Sequence, residues 1–486
     1  MENVKLRTKK LIHGRTPSDV PFLPLIPNPA RGDTSLETLE SIVPTPAPYC
    51  WTDALIPCVT EVVDTRNHAK EKERLLIRVA QLYQLYGSPA HHTEERTRSA
   101  AEGLGMELDI KSFPGFLIAT FAAQDTSQTV LQTTVQGYHL TKLEQIDIFA
   151  QSCAAGECTE RTFDQCVAEL DAIMMSPDPW ALPMLLLMYG ISHGLSALCL
   201  FDGGWSDAFL AACLGVCTGV SALALDNMVS PKLAKLNGFF SCLLNSFLVR
   251  IVQQHLCPSI CFFPCVVSSV LGVLPGLGIT LAAIEISQTQ IVAGAARLVY
   301  ALFETLLIAI GISMGSQIAF WVGQTNASEG VSASPYTLGR WQSVVTFPMM
   351  LFSISVISNS SVDQFASQII TGLCGLFVYT VCAVLRCSTE MTVTLSSMVV
   401  ALVGHMFTMS NGRPSVIPTL AGISLLVPSG LSVSAAVGSM EGGEAFDKTG
   451  SIVVSVLTVA ASLSLGVFLA SVMVNPGRQP RLERLG

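Results

Sequence analysis

Charged residues are scarce in this 486-residue sequence, 13% of it, and the scarcity is uneven. Residues 180–486 carry 23 Asp, Glu, Lys and Arg in 307 positions, whereas residues 1–179 carry 40 in 179. A water-facing unit of 307 residues needs far more charge to cover its surface, so the second part is solvated by lipid. Basic tracts are also missing, which excludes nucleic acid as a partner. The basic stretch Met1–Arg15 is followed by no apolar core, so it reads as a solvated tail and not as a secretory signal. No CxxC pair occurs among the 15 cysteines. Most of them, including Cys199, Cys213, Cys217, Cys242, Cys261, Cys265, Cys374 and Cys382, lie in apolar runs, where thiols pack as small apolar groups. Matched metal donors are lacking, and neither a metal nor a cofactor is expected.

What is present divides along the chain. Residues 1–68 form a Pro-rich arm (SDVPFLPLIPNPARGD, IVPTPAPYCW) that buries too little to offset its chain entropy. Residues 69–179 have the pattern of a small α+β cytoplasmic domain. Leu75, Leu76, Val79, Leu82 and Tyr83 recur at helical spacing, and Gly87-Ser88-Pro89 stops that helix. A second helix is expected over Thr93–Leu104, strands over Phe113–Ala122 and Thr129–Val135, and two amphipathic helices over Leu143–Cys153 and Thr159–Met174.

Ten apolar segments follow, near 180–201, 207–226, 236–256, 258–284, 291–323, 340–358, 362–386, 391–410, 414–438 and 449–474. Each has about the length that a ~30 Å hydrocarbon layer requires, and helices are the only open-ended backbone that lipid tolerates. With both chain ends inside, Lys232, Lys235, Arg297, Arg413, Arg478, Arg481 and Arg484 fall on the inner side, against Arg250, Arg340, Arg386 and Lys448 outside. That bias predicts cytoplasmic termini, including a short basic tail over 477–486, in a plasma or vacuolar-type membrane.

The fourth and ninth segments each contain a Pro-Gly interruption, Pro275-Gly276 and Pro428-Ser-Gly430. The second and seventh each open with an aspartate, Asp207 and Asp363. These matches, five segments apart, predict a 5+5 duplication over 180–338 and 339–476. Five is odd, so the second copy enters from the opposite side as an inverted repeat, a transporter arrangement with its site between broken helices. Proline removes a backbone donor and opens its helix, freeing backbone groups for a polar solute. Few ionisable residues lie deep within the apolar runs, away from their ends: Glu304, His193 and His405, with Glu285 and Arg297 flanking the turn after the first break. Glu304 is the candidate proton carrier, since an intramembrane carboxylate faces a cavity or a partner. The pairs Gly190/Gly194, Gly215/Gly219 and Gly311/Gly315 have the spacing of close helix contacts.

On these residues the chain resembles the threonine/serine exporter family, whose fungal branch includes pheromone-regulated membrane proteins. The resemblance spans about residues 70–475. It rests on LLIRVAQLYQLYGSPAHHTEERTRSAAEGLG, on GYHLTKLEQIDIFAQ, and on VLPGLGITLAAIEISQTQIVAGAARLVYA, which carries Pro275, Gly276, Glu285, Gly294 and Arg297. It implies proton-coupled export of small hydroxy amino acids, with Pro275, Gly276, Glu285, Arg297, Pro428 and Gly430 around the solute and protons and lipid as further partners. The ninth segment departs from the family pattern, reading PSG where a plain PG is expected. Two other readings stand beside it. A membrane-anchored hydrolase would use His91, His92, Glu94 or Glu95, which show neither a paired nucleophile nor HExxH spacing. A scaffold would act through the N-terminal domain, and neither alternative needs an inverted repeat.

Overall fold

Leu75, Leu76, Val79, Leu82 and Tyr83 form the buried stripe of α1 (His68–Leu85). The computed structural model describes residues 68–122, 127–159, 161–228, 236–323, 340–426 and 445–474, which are mostly helical with one small sheet. After α1 come α2 (Ala90–Gly103), strands β1 (Glu107–Phe113), β2 (Phe116–Ala122) and β3 (Ser127–Thr133), then α3 (Leu140–Ala154) and α4 (Phe163–Met175). The strands form an antiparallel meander in the order β1-β2-β3. The strand expected over Phe113–Ala122 is β2, shortened at its start by the Pro114-Gly115 turn that pairs it with β1; Gly115 there has φ +92°, which only glycine adopts freely. The preceding strand escaped notice because Glu107, Asp109 and Lys111 alternate with buried Leu108, Ile110 and Ser112. That period of two buries one face of the sheet and wets the other. Within this α+β layer Cys153 and Cys158 lie 4.7 Å apart at Cα, within reach of a disulfide.

The apolar part begins with α5 (Leu182–Cys199), α6 (Trp205–Met228), α7 (Asn237–His255), α8 (Phe262–Ser269), α9 (Gly276–Ser287) and α10 (Ile291–Gly323). It continues with α11 (Arg340–Ile357), α12 (Val362–Val384), α13 (Thr389–Asn411), α14 (Val416–Ser424) and α15 (Ala445–Val474). Among the described residues six helices are long and apolar enough to cross a membrane: α5, α6, α10, α12, α13 and α15. The bent pair α8–α9 makes a seventh. Of the other expected spans, α7 is helical but carries Asn245, Arg250, Gln253 and Gln254, α11 offers a shorter apolar stretch, Val345–Ile357, and the ninth is described only as far as Leu426.

Small residues set the helix contacts, as their spacing predicts. α10 lies along α7 through Gly311 and Gly315; a Cβ at Gly311 would meet the Phe239 carbonyl at 2.7 Å. α5 lies along α6, where a Cβ at Gly194 would meet the Ala208 carbonyl at 2.9 Å. In the second set α13 lies along α15, and Gly466 presses on the α13 backbone. Gly315→Ala is expected to lower stability by about 1–3 kcal/mol, because its Cβ runs into the Leu243 carbonyl. Gly278→Ala, whose Cβ meets only Ala301 Cβ at 3.5 Å, stays near neutral; thermal melting in detergent compares the two.

The core of the α+β layer does not end at the layer. Leu281 of α9 and Ile417 and Leu420 of α14 belong to the same buried cluster as Leu76, Tyr83, Leu140 and Phe149. Three apolar side chains held away from water contribute about 1.5–3 kcal/mol each, enough to keep the layer seated on both helices.

Candidate functional site

The fourth apolar segment breaks where its proline requires. α8 ends at Ser269, Leu271–Val273 forms one 3₁₀ turn, Leu274 is extended, and α9 restarts at Gly276 with Pro275 as its N-cap. The two parts are bent by 59°. Pro275 and Gly276 therefore sit at the interruption, as the sequence suggests. Pro428 and Gly430, the second expected interruption, lie outside the described residues.

Backbone groups freed at the break are met by buried side chains from three helices. His193 of α5 donates from Nδ1 to the Tyr189 carbonyl at 2.6 Å and accepts the Gly272 N–H on Nε2 at 3.3 Å. Only a neutral ring with its proton on Nδ1 serves both bonds. Gly272 has no side chain, and the Tyr189 and His193 rings fill that space: a Cβ there would lie 3.3 Å from Tyr189 Cε1 and 3.6 Å from His193 Nε2. The Ser269 carbonyl accepts from Thr218 Oγ1 at 2.9 Å and from Asn245 Nδ2 at 3.3 Å, and Asn245 also donates to Ser269 Oγ at 3.1 Å. His193, Thr218, Asn245 and Ser269 are all buried. Thr218 and Asn245 are polar residues inside apolar runs, a signal the sequence carried and the reading of charge alone passed over. Replacing His193 by Phe leaves the Gly272 amide unpaired and is expected to cost about 1–3 kcal/mol, whereas His193→Gln restores an acceptor; melting of the two variants reports the difference.

Beside the break lies a half-open recess of about 230 Å³ lined by Asn237, Gly238, Phe239, Val273, Glu304, Leu307 and Ile308. Val273 is the last residue of the 3₁₀ turn, so Glu304 of α10 and the interruption share one cavity. Glu304 is level with the first turn of α7.

Glu285 and Arg297 lie elsewhere. Glu285 is fully buried; Arg297 donates to its two oxygens, Nε to Oε2 and Nη2 to Oε1, each at 3.0 Å. The Ala90 N–H of the α+β layer also donates to Oε1 at 3.0 Å. This carboxylate thus caps the N-terminus of α2, where unpaired amides and the helix dipole favour an anion. Nearby, Gln290 donates to Glu94 of α2 at 2.7 Å. The predicted site residues that lie among the described ones therefore fall into two places, the break with Glu304 and the seam with the layer.

Inside the layer, Asp147 gathers a buried network. Tyr83 donates to it at 2.8 Å, Arg96 Nε lies at 3.2 Å and His92 Nε2 at 3.4 Å, while Ser88 Oγ is 3.1 Å from His92 Nδ1. Burial, then Asp147, hold the Tyr83 proton well above its ordinary range. Ser88–His92–Asp147 has the connectivity of a hydrolase triad, but Ser88 is only 5% exposed and the Arg96 guanidinium occupies the aspartate. Neighbouring His91 has a buried Nδ1 with no hydrogen-bond partner among the described residues. Burial and then His92 push its pKa down to about 4, against the pull of Glu285. Its folded value lies below the unfolded value of about 6.5, so the unfolded chain binds the proton more tightly. Stability should fall as pH drops from about 6.5 to about 4, by on the order of 3 kcal/mol in total, and His91→Asn should flatten that slope in pH-dependent melting.

An α+β layer seated on a bundle of apolar helices, one of them interrupted around a buried polar cage, defines a multi-pass membrane protein. The chain belongs to the family described as "Putative threonine/serine exporter", whose model matches residues 74–319. It is 25% identical over 415 residues to pheromone-regulated membrane protein 10 of Saccharomyces cerevisiae, covering 83% of this chain and 52% of that protein. The relative of the same name in Eremothecium gossypii is 23% identical over 435 residues, 84% of this chain and 56% of that protein. In Candida glabrata it is 24% identical over 412 residues, with 83% and 51% covered. The chain spans about half the length of these relatives. No solved structure matches it.

Proposed function

We propose that this chain is a secondary exporter of small amino acids of the threonine/serine class, driven by protons, with its solute path between two interrupted spans. The observation that carries this reading is the break at Ser269–Gly276, caged by His193, Thr218 and Asn245 and opening beside the Glu304 cavity. Glu304 is the proton carrier. Pro275 and Gly276, with Pro428 and Gly430 as their counterparts, shape the solute site. Glu285 and Arg297 hold the layer to the bundle and act on the solute indirectly. A half-open recess of 230 Å³ has room for a threonine-sized molecule, and the membrane families best known for such sites use broken helices in this way.

The inverted repeat gains support from two contacts. Asp207, at the start of α6, accepts the Cys261 N–H at the head of α8 at 2.9 Å, and Asp363, at the start of α12, pairs at 3.9 Å with Arg413 just before α14. The layer, moreover, meets the turn between the fourth and fifth segments of the first set, but the first–second and third–fourth turns of the second set. A copy entering with unchanged orientation would present the opposite turns. In the proposed orientation the layer is cytoplasmic. In that reducing compartment Cys153 and Cys158 stand as thiols, so alkylation before extraction from cells should label both; a retained disulfide places the layer on the oxidising side.

Substrate class is tested by competition. Unlabelled serine and threonine should inhibit threonine counterflow in proteoliposomes, and valine, which replaces the hydroxyl by a methyl, should inhibit at least tenfold less. Equal inhibition by valine would remove the hydroxy amino acids as the class. In the Ser88–His92–Asp147 network Ser88 is buried and Arg96 pairs with the aspartate, which weighs against that network as a hydrolytic site.

A further inference from the structure

We infer that the α+β layer is the inner gate of the solute path, latched to both halves of the bundle and released during each transport cycle; this rests on the exporter reading. Two latches are present. On the first half, Glu285 caps α2 through the Ala90 N–H at 3.0 Å, and Gln290 holds Glu94 at 2.7 Å. On the second half the N-terminus of α3 is capped by carbonyls: the Leu140 N–H donates to Ser358 at 3.1 Å and the Thr141 N–H to Asn359 at 3.2 Å, with Thr141 Oγ1 at 2.6 Å from the same oxygen. Arg413 pairs with Glu144 of α3 at 3.6 Å alongside.

The helices beneath the latches identify what the layer controls. Its core runs onto Leu277 and Leu281 of α9, the segment that restarts after Pro275. It also runs onto Val416, Ile417 and Leu420 of α14, the segment that leads toward Pro428. A unit that only recruited partners would have no reason to seat its own hydrophobic core on these two elements. While it stays seated, the inner approach between them is covered.

The seam is less tightly interlocked than the contacts between helices of the bundle. α7 and α10 interlock backbone to backbone through Gly311 and Gly315, and α5 and α6 do the same through their glycines. The seam joins the apolar contact of Leu281, Ile417 and Leu420 to helix-end hydrogen bonds and to an Arg413–Glu144 pair whose arginine is half-exposed, with no backbone-to-backbone interlock of the glycine kind among the described residues. Motion between bundle halves in a transporter pivots on rigid units. Here each half brings its own latch, so the layer senses both.

Two measurements on the full chain in liposomes test the gate. In the first, hydrogen exchange is followed at the Ala90, Leu140 and Thr141 amides, at rest and during threonine efflux under a pH gradient. The gate requires both latches to exchange at least tenfold faster during turnover, and to do so together. In the second, Thr141→Cys/Asn359→Cys is bridged by oxidation, with the bridge quantified by mass spectrometry and the unsubstituted chain treated in parallel. Efflux should drop at least tenfold on bridging and return on reduction. Full efflux with the bridge closed, or latch amides that stay protected during turnover, overturns the gate and leaves the exporter reading standing. If threonine efflux is absent, exchange under the proton gradient alone decides: coupled release of both latches sustains a gate for another solute, and unchanged protection removes it. Should Asn359→Cys prevent folding at its positive φ of 53°, the exchange measurement on the unsubstituted chain decides alone.

Discussion

Glu285→Ala should destabilise the chain by about 3–5 kcal/mol, the largest effect expected from a single substitution outside the apolar core. The change removes one carboxylate but strands two partners. Arg297, 17% exposed at its side chain, loses its bidentate acceptor, and the Ala90 amide loses the anion that caps α2. An ion pair of this kind earns little net stability against well-packed apolar residues, so a different outcome is expected from the double variant Glu285→Leu/Arg297→Leu. It should recover most of the loss, with about 1 kcal/mol remaining from the uncapped helix. A double-mutant cycle followed by thermal melting in detergent separates the two. Additive losses would mean that Glu285 and Arg297 do not act on one another in the folded chain. The same cycle distinguishes a latch from a solute site, because a solute site depends on both charges for binding and only weakly for melting.

Glu304→Gln should reduce gradient-driven efflux at least tenfold and flatten its dependence on pH, while melting close to the parent. Glutamine keeps the shape of the side chain and its place beside Val273 and Asn237, and removes only the capacity to carry a proton. Glu304→Asp retains the carboxylate one methylene further from the cavity and should keep part of the activity. Efflux rates at several external pH values check both. Full, equally pH-dependent efflux in Glu304→Gln would assign this carboxylate a structural role and move the proton path elsewhere.

Much of this could be read from residue patterns, for identifiable reasons. The boundary between layer and bundle follows from where charge stops, because lipid and water impose opposite demands on the same surface. The break at Pro275 follows from the missing amide, and the helix contacts at Gly311 and Gly315 from the space that glycine leaves. β1 was missed because its outward residues are all charged, which hides a half-buried strand among helix-compatible charges. The surroundings of Glu285 and Arg297 illustrate a different limit. Both flank the turn after the interruption in sequence: Glu285 stands in the last turn of α9, the turn at 288–290 returns Arg297 to it, and α2 arrives there from nearly 200 positions earlier. No local pattern announces such a contact. The cage around the break is of the same kind: His193, Thr218, Asn245 and Ser269 come from four segments and meet only in the folded bundle.

Proteoliposomes loaded with labelled threonine and given an imposed pH gradient test the exporter reading most directly. The interrupted span and its neighbouring carboxylate predict efflux that rises with the gradient, collapses when a protonophore dissipates it, and is lost in Glu304→Gln. Efflux no faster than from protein-free liposomes, or efflux indifferent to the gradient, would contradict it.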